Sequence, residues 1–254
     1  MIASSRKIKI LRFLLSFLKK ILFLGARIIF RINKNDPFEV FISEAFYAPW
    51  KEDIEFQKYY RKYANLTMLD QVRLYTFWEA IENIESIDGD VIEVGSWKGG
   101  VSFLMAEKIR SMKQNKTVFA YDTFHGVVKS GIHDPYYKDN EHDEASLDEF
   151  NANIEKFKTI NIEVFSGIYP DSFTNNISDN IKYSLAHIDV DTFQSAYDSF
   201  KYIWHRLSKN GIVIFDDYGF HQTNGIRICI SQIRKEFNCS FFYLQCGQAV
   251  IIKK

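Results

Sequence analysis

Residues 90–106, DVIEVGSWKGGVSFLMA, decide how the rest of the chain is read. Asp90-Val-Ile-Glu-Val94 is a short apolar run that closes on Gly95-Ser-Trp-Lys-Gly-Gly100, and a helical stretch follows from Val101 to about Met112. Strand, glycine turn and helix make the repeating unit of a parallel α/β sheet. Working outward, Thr117–Asp122 reads as a second strand and Ile162–Ser166 as a third. Tyr183–Asp189 is a fourth, with a helix over Thr192–Leu207 ending at Asn210-Gly211. Gly211–Asp216 is a fifth, trailed by a helix around Ile226–Phe237. Such alternation predicts a sheet covered by helices on both faces. Ser240–Leu244 and Ala249–Ile252, separated by Gln245-Cys-Gly-Gln248, predict an antiparallel hairpin at the sheet edge. Upstream, Leu69, Val72, Leu74, Phe77, Ile81 and Ile84 recur at helical spacing, which predicts a helix over Met68–Ile84 packed beside this core.

The composition is that of a globular chain: 254 residues, 46% apolar and 25% charged. Lys+Arg and Asp+Glu balance at 32 each, which argues against a nucleic-acid partner. The balance is uneven along the chain. Residues 1–35 hold nine basic residues and no acid, so the head carries +9 and the remainder −9. Within Ile8–Phe30 no uncharged run exceeds six residues, whereas a spanning helix needs roughly 18 or more apolar ones. On a helical wheel every basic residue except Lys7 falls on one side, and Ile10, Leu11, Leu14, Leu15, Leu18, Ile21, Leu22, Ile28 and Ile29 fall on the other, with Phe13, Phe23 and Phe30 as misfits. That pattern fits a helix lying in a membrane interface, with peripheral contact through residues 6–31, or a helix packed on the body or a second subunit as a homo-oligomer. Asn33–Pro37 reads as the turn that ends it. Cys229, Cys239 and Cys246 form no CxxC, so neither a zinc ribbon nor a disulfide scaffold is indicated, and a cytoplasmic, reducing location fits.

In open parallel sheets ligands bind beyond the carboxyl ends of the strands. Four of the five strands end in or beside acid: Glu93, Asp122, Asp189 with Asp191, and Asp216-Asp217. Gly95 and Gly99-Gly100 let backbone approach a ligand closely. Trp97 breaks the GxGxxG spacing of a pyrophosphate turn. Acids closing the first two strands suit an adenosyl ligand with an amino-acid tail better, with Asp122 accepting from both ribose hydroxyls. Asp189, Asp216 and Asp217 are oxygen ligands from neighbouring strand ends, fit for a hard cation such as Mg²⁺. Asp191 stands just beyond, placed to take a proton from a substrate hydroxyl.

DVIEVGSWKGGVSFLMA (90–106), YDTFHG (121–126), HIDVDTFQSAYDSF (187–200), GIVIFDDYG (211–219) and GIRICISQI (225–233) together resemble the macrocin O-methyltransferase family. The resemblance runs from about Met68 to Ile233. It implies the class I methyltransferase fold, a Rossmann-like, mostly parallel seven-stranded sheet whose last strand is antiparallel. It also implies transfer of a methyl group from S-adenosylmethionine to a sugar hydroxyl, with Mg²⁺. Carried over by position, Glu93, Gly95, Ser96, Gly99, Ser102, Asp122, Ser166 and Gly167 would face the cofactor. Asp189, Asp216 and Asp217 would hold the metal and Asp191 would be the base. The domains are then a basic amphipathic helix (1–35), a helical cap (36–89) and a catalytic domain (90–254). The acceptor would be a small-molecule or lipid-linked sugar, reached in the cytoplasm or on the inner membrane face.

Departures from the family pattern are His125, where a small or acidic residue is usual, and Val190-Asp191-Thr192-Phe193 in place of Gly-Asp-Leu-Tyr. The basic head has no counterpart in the antibiotic enzymes. A catechol-type O-methyltransferase would use the same aspartates, and a catalytically silent membrane-associated module of glycan assembly would keep the sheet. His133–Glu149 reads as a solvated charge run, with a substrate lid as the minority reading. His187 is expected inside the fourth strand, and His125 and His221 after strand ends.

Overall fold

The computed structural model describes residues 2–29, 37–38, 47–174, 178 and 180–254. The expected turn at Asn33–Asp36 lies outside them. Contacts divide the chain into two units, Met1–Ala48 and Pro49–Lys254. Among the described residues the first contains one helix, α1 (Ile2–Ile29). Among the described residues no helix is long and apolar enough to cross a membrane.

The second unit opens with α2 (Pro49–Glu52), α3 (Ile54–Tyr63) and α4 (Gln71–Asn83). The α4 helix starts three residues later than the apolar periodicity suggests. Asp70 caps it, its Oδ1 accepting from the amides of Val72 (2.8 Å) and Arg73 (3.1 Å). Then come β1 (Asp90–Val94), α5 (Gly100–Ser111), β2 (Val118–Asp122), α6 (Leu147–Phe157) and β3 (Ile162–Ser166). They are followed by β4 (Tyr183–Ile188), α7 (Phe193–Arg206), β5 (Leu207–Phe215), α8 (Asn224–Glu236), β6 (Cys239–Tyr243) and β7 (Ala249–Lys253).

The seven strands run in the order β3-β2-β1-β4-β5-β7-β6. Every pair from β3 to β5 is parallel, and β7 inserts antiparallel between β5 and β6. The hairpin is thus present with β7 as its inner strand, which agrees with the buried Ala249 and Ile251. Strand β5 begins earlier than Gly211. Tyr183 pairs with Leu207 and Leu185 with Ile212, so the intervening residues bulge, and the expected turn at Asn210 (φ 65°) is absorbed within the strand.

Side chains alternate across the sheet. Val91, Leu185 and Ile214 meet Phe56, Phe77, Trp78 and Phe103 on the α3–α5 face. Ile92, Val94, Ala186, Ile188 and Phe215 meet Phe200, Ile203, Ile226 and Ile230 on the α7–α8 face. Because β1 has β2 on one side and β4 on the other, connections leave it in opposite directions, which opens a crevice at its carboxyl end.

Candidate active site

The crevice is built on Gly95 (φ 89°). A Cβ there would collide with the backbone carbonyl of Asp189, so only glycine lets β1 and β4 end side by side. The turn is pinned to β2 by the amides of Gly95 (2.8 Å) and Ser96 (3.3 Å), both donating to the Tyr121 carbonyl. Asp122 closes β2. Its Oδ2 accepts from the Trp97 amide and its Oδ1 from the Phe124 amide, both at 2.7 Å. Burial pushes this carboxyl up, and the two amides hold it down. The amides fix its orientation and leave lone pairs on both oxygens for hydroxyl donors.

Beyond β4 and β5, Asp189, Asp216 and Asp217 each offer an oxygen, and the three lie within 4.8 Å of one another. Asp216 is anchored by an ion pair with Arg73 of α4, and by the Gln248 amide, which donates to its Oδ1 (3.0 Å). The Arg73 guanidinium also lies 5.2 Å from the Phe220 ring centroid. Asp217 Oδ2 is buried without a partner. Burial first, and neighbouring carboxylates second, raise the Asp189 and Asp217 carboxyls well above the usual range. An unpartnered buried oxygen among three close carboxylates is the donor set that a hard divalent cation completes.

Asp191 sits just past this cluster at φ 60°, unusual for a side chain larger than glycine, on a tight turn closed by the Thr192 amide to the Val190 carbonyl (2.6 Å). Burial raises its carboxyl, while a hydrogen bond from Tyr137 and the nearby His142 oppose the rise. Tyr137 and His142 belong to the stretch expected as a solvated charge run. That expectation is corrected in part: His142 lines the cleft, and Asp134, 4% exposed, accepts from the Phe193 amide at the start of α7 (2.9 Å).

Gly95, Asp122, Gly167, Asp189, Asp191, Asp216 and Asp217 line one cleft, walled by apolar residues including Leu69, Val127 and Ile168. Glu93, Ser96, Gly99, Ser102 and Ser166 do not line it. Glu93 shares the parity of Val91, so its side chain faces α4 and α5, where it accepts from Ser102 Oγ and meets His187 Nδ1 at 2.8 Å. His187 is its register partner on β4 and packs against Phe77, with ring centroids 4.3 Å apart. Glu93 and Ser102 thus bond each other behind the turn, outside this lining. Gly99 turns the chain into α5 against Phe150, the Ser96 hydroxyl is buried without a partner, and Ser166 is exposed. His125 and His221 lie outside the lining, and His187 is buried in β4. Sequence reasoning missed Arg73, Tyr137 and Gln248.

The fold is similar to that of solved methyltransferases. The O-methyltransferase NovP superposes with a TM-score of 0.65 at 19% identity, covering 74% of this chain and 82% of that one. Among curated proteins, the chain is 27% identical over 165 residues to 8-demethyl-8-(2,3-dimethoxy-alpha-L-rhamnosyl)-tetracenomycin-C 4'-O-methyltransferase of Streptomyces olivaceus. It is 26% identical over 165 residues to demethyldecarbamoylnovobiocin O-methyltransferase of Streptomyces niveus. Each alignment covers 60% of this chain and 62% of the relative, so the matched part spans about three-fifths of their length. The fold is that of the class I methyltransferases. The family model described as Macrocin-O-methyltransferase (TylF) matches residues 52–240, and the chain belongs to that family.

Proposed function

We propose that the protein is an S-adenosylmethionine-dependent O-methyltransferase acting on a hydroxyl of a sugar or glycosylated small molecule, assisted by Mg²⁺. One observation carries this reading: three carboxylates from two strand ends converge beside a glycine turn and an amide-anchored Asp122. The sugar acceptor is supported by the rhamnosyl group named in the Streptomyces olivaceus relative.

S-adenosylmethionine, when bound, supplies an electrophilic methyl group on sulfur. Asp122 is oriented to accept its ribose hydroxyls, and Gly95 keeps the crevice floor free of a side chain. Asp189, Asp216 and Asp217 would hold the divalent ion, which lowers the pKa of an acceptor hydroxyl. When bound, that donor would pass its methyl group to the hydroxyl oxygen and keep the carbon–sulfur electron pair on sulfur. Asp191 takes the displaced hydroxyl proton. Its raised carboxyl makes it a better proton acceptor than an exposed aspartate, provided it is ionised at working pH. Holding donor and acceptor in one cleft replaces a bimolecular encounter, worth roughly 7–11 kcal/mol of the barrier in well-oriented systems.

Calorimetric titration with S-adenosylmethionine, with and without Mg²⁺, followed by labelled methyl transfer to a panel of nucleotide sugars, glycosides and catechols, tests the reading. Cofactor binding with transfer to a sugar is expected. Transfer to catechols alone, or no cofactor binding, would overturn it. Asp191→Asn should leave both affinities nearly intact and lower turnover at least about tenfold, against roughly 10²–10⁴-fold for complete loss of a general base.

A further inference from the structure

We infer that α1 is a docking surface for anionic phospholipid membranes, binding in the plane of the interface. At 100° per residue, the sequence of α1 puts Arg6, Lys9, Arg12, Lys19, Lys20 and Arg27 within one arc of about 140°, with Lys7 outside it. Leu14, Leu15, Leu18, Ile21, Leu22 and Ile29 occupy the opposite arc and are between 49% and 76% exposed. A helix this apolar on one side leaves that face in water only at a cost, so the face calls for an occupant.

Charge selects the occupant. The head carries +9 with no acid through residue 35. A second copy docked helix to helix would bring two such segments together with no carboxylate between them, and like charges oppose that pairing. The apolar arc is also broader than the narrow seam of a two-stranded coil. An anionic bilayer satisfies both faces at once: acyl chains receive the leucines and isoleucines, and headgroup phosphates receive the lysines and arginines. At 28 residues α1 is long enough to lie along the surface over several turns. This inference is independent of the catalytic reading.

The test is flotation of the full chain with vesicles of phosphatidylcholine alone or with about one-third phosphatidylglycerol, at ~0.1 M and ~1 M salt. Binding to the anionic vesicles should exceed binding to the neutral ones at least about tenfold at the lower salt, and the difference should shrink at the higher one. The double variant Lys19→Glu/Lys20→Glu should lower anionic binding at least about tenfold. Leu18→Gln/Leu22→Gln should lower it comparably while keeping all nine cations, because Gln removes apolar area at little helix cost. Unfolding of the 49–254 unit, followed by calorimetry, should be unchanged in both variants. Absence of vesicle binding, equal binding to both lipids, or wild-type binding by either variant would overturn the inference. So would self-association through α1 that survives saturating lipid.

Discussion

Asp217→Asn probes the acid cluster most directly, because it should move stability in opposite directions with and without a divalent ion. Two unit charges separated by the 4.8 Å that bounds the cluster repel by about 3.5 kcal/mol at an effective dielectric of about 20. Asp217 faces two such neighbours, so with all three ionised its charge adds repulsion on the order of 7 kcal/mol. Proton uptake by the raised carboxyls of Asp189 and Asp217, and the Arg73 guanidinium beside Asp216, remove most of that. The amide should therefore stabilise the protein in chelator by on the order of 1 kcal/mol, a rise of ~2–4 °C in Tm for a domain of this size. Under saturating Mg²⁺ the order reverses. Wild-type protein gains about 2.7 kcal/mol when the ion is at a hundred times its Kd, and the variant forfeits most of this gain. Paired thermal scans in EDTA and in excess Mg²⁺ read both effects. A variant that melts lower than wild type in EDTA and keeps the full Mg²⁺ shift would refute the argument that these oxygens share an ion.

Tyr137→Phe removes a hydrogen bond that holds the Asp191 carboxyl down. A base acts only when ionised, so activity falls as pH drops through its pKa, and the variant's acid limb should shift toward higher pH in a kcat profile. An unmoved limb would separate Tyr137 from Asp191. Glu93→Ala strands the Ser102 hydroxyl and His187 Nδ1, both fully buried, and should cost about 1–3 kcal/mol for each in urea unfolding. The milder Glu93→Gln should leave the cofactor Kd within about threefold, less than 1 kcal/mol, if Glu93 supports the turn rather than touching the ligand.

What the sequence made legible is local. The strand–glycine–helix unit at 90–106 can be read because a period-two run, a positive-φ glycine and a helical run each leave their own mark. The strand-end aspartates are legible for the same reason, since topology delivers every parallel strand's carboxyl end to one edge. Glu93 shows how that rule misleads when parity is ignored. The alternation of Val91, Ile92, Glu93 and Val94 already placed the acid on the face opposite Val94, away from the crevice. Arg73 and Gln248 left no comparable mark. Arg73 is 143 residues from Asp216, and an arginine on an amphipathic helix looks the same whether it meets solvent or a distant strand end. Residues 133–149 read as solvated because charge dominates their composition, yet Asp134 is spent capping α7 and Ala145 is buried.

Those long-range partners explain why the cluster takes its form. Three clustered carboxylates, two of them buried, would be costly in a native state with no counter-charge. A guanidinium and a carboxamide directed at Asp216 neutralise one of them and fix it in place. The remaining two negative charges match a divalent ion, and Asp217 Oδ2 supplies a buried oxygen with nothing yet bound to it. Asp191, on its left-handed backbone and bonded by Tyr137, supplies none of the three clustered oxygens, yet its charge helps to raise the Asp189 and Asp217 carboxyls. In the mechanism we propose, the three clustered acids would hold the ion and Asp191 would take the proton, and Arg73, invisible to local pattern, is the cation that offsets Asp216.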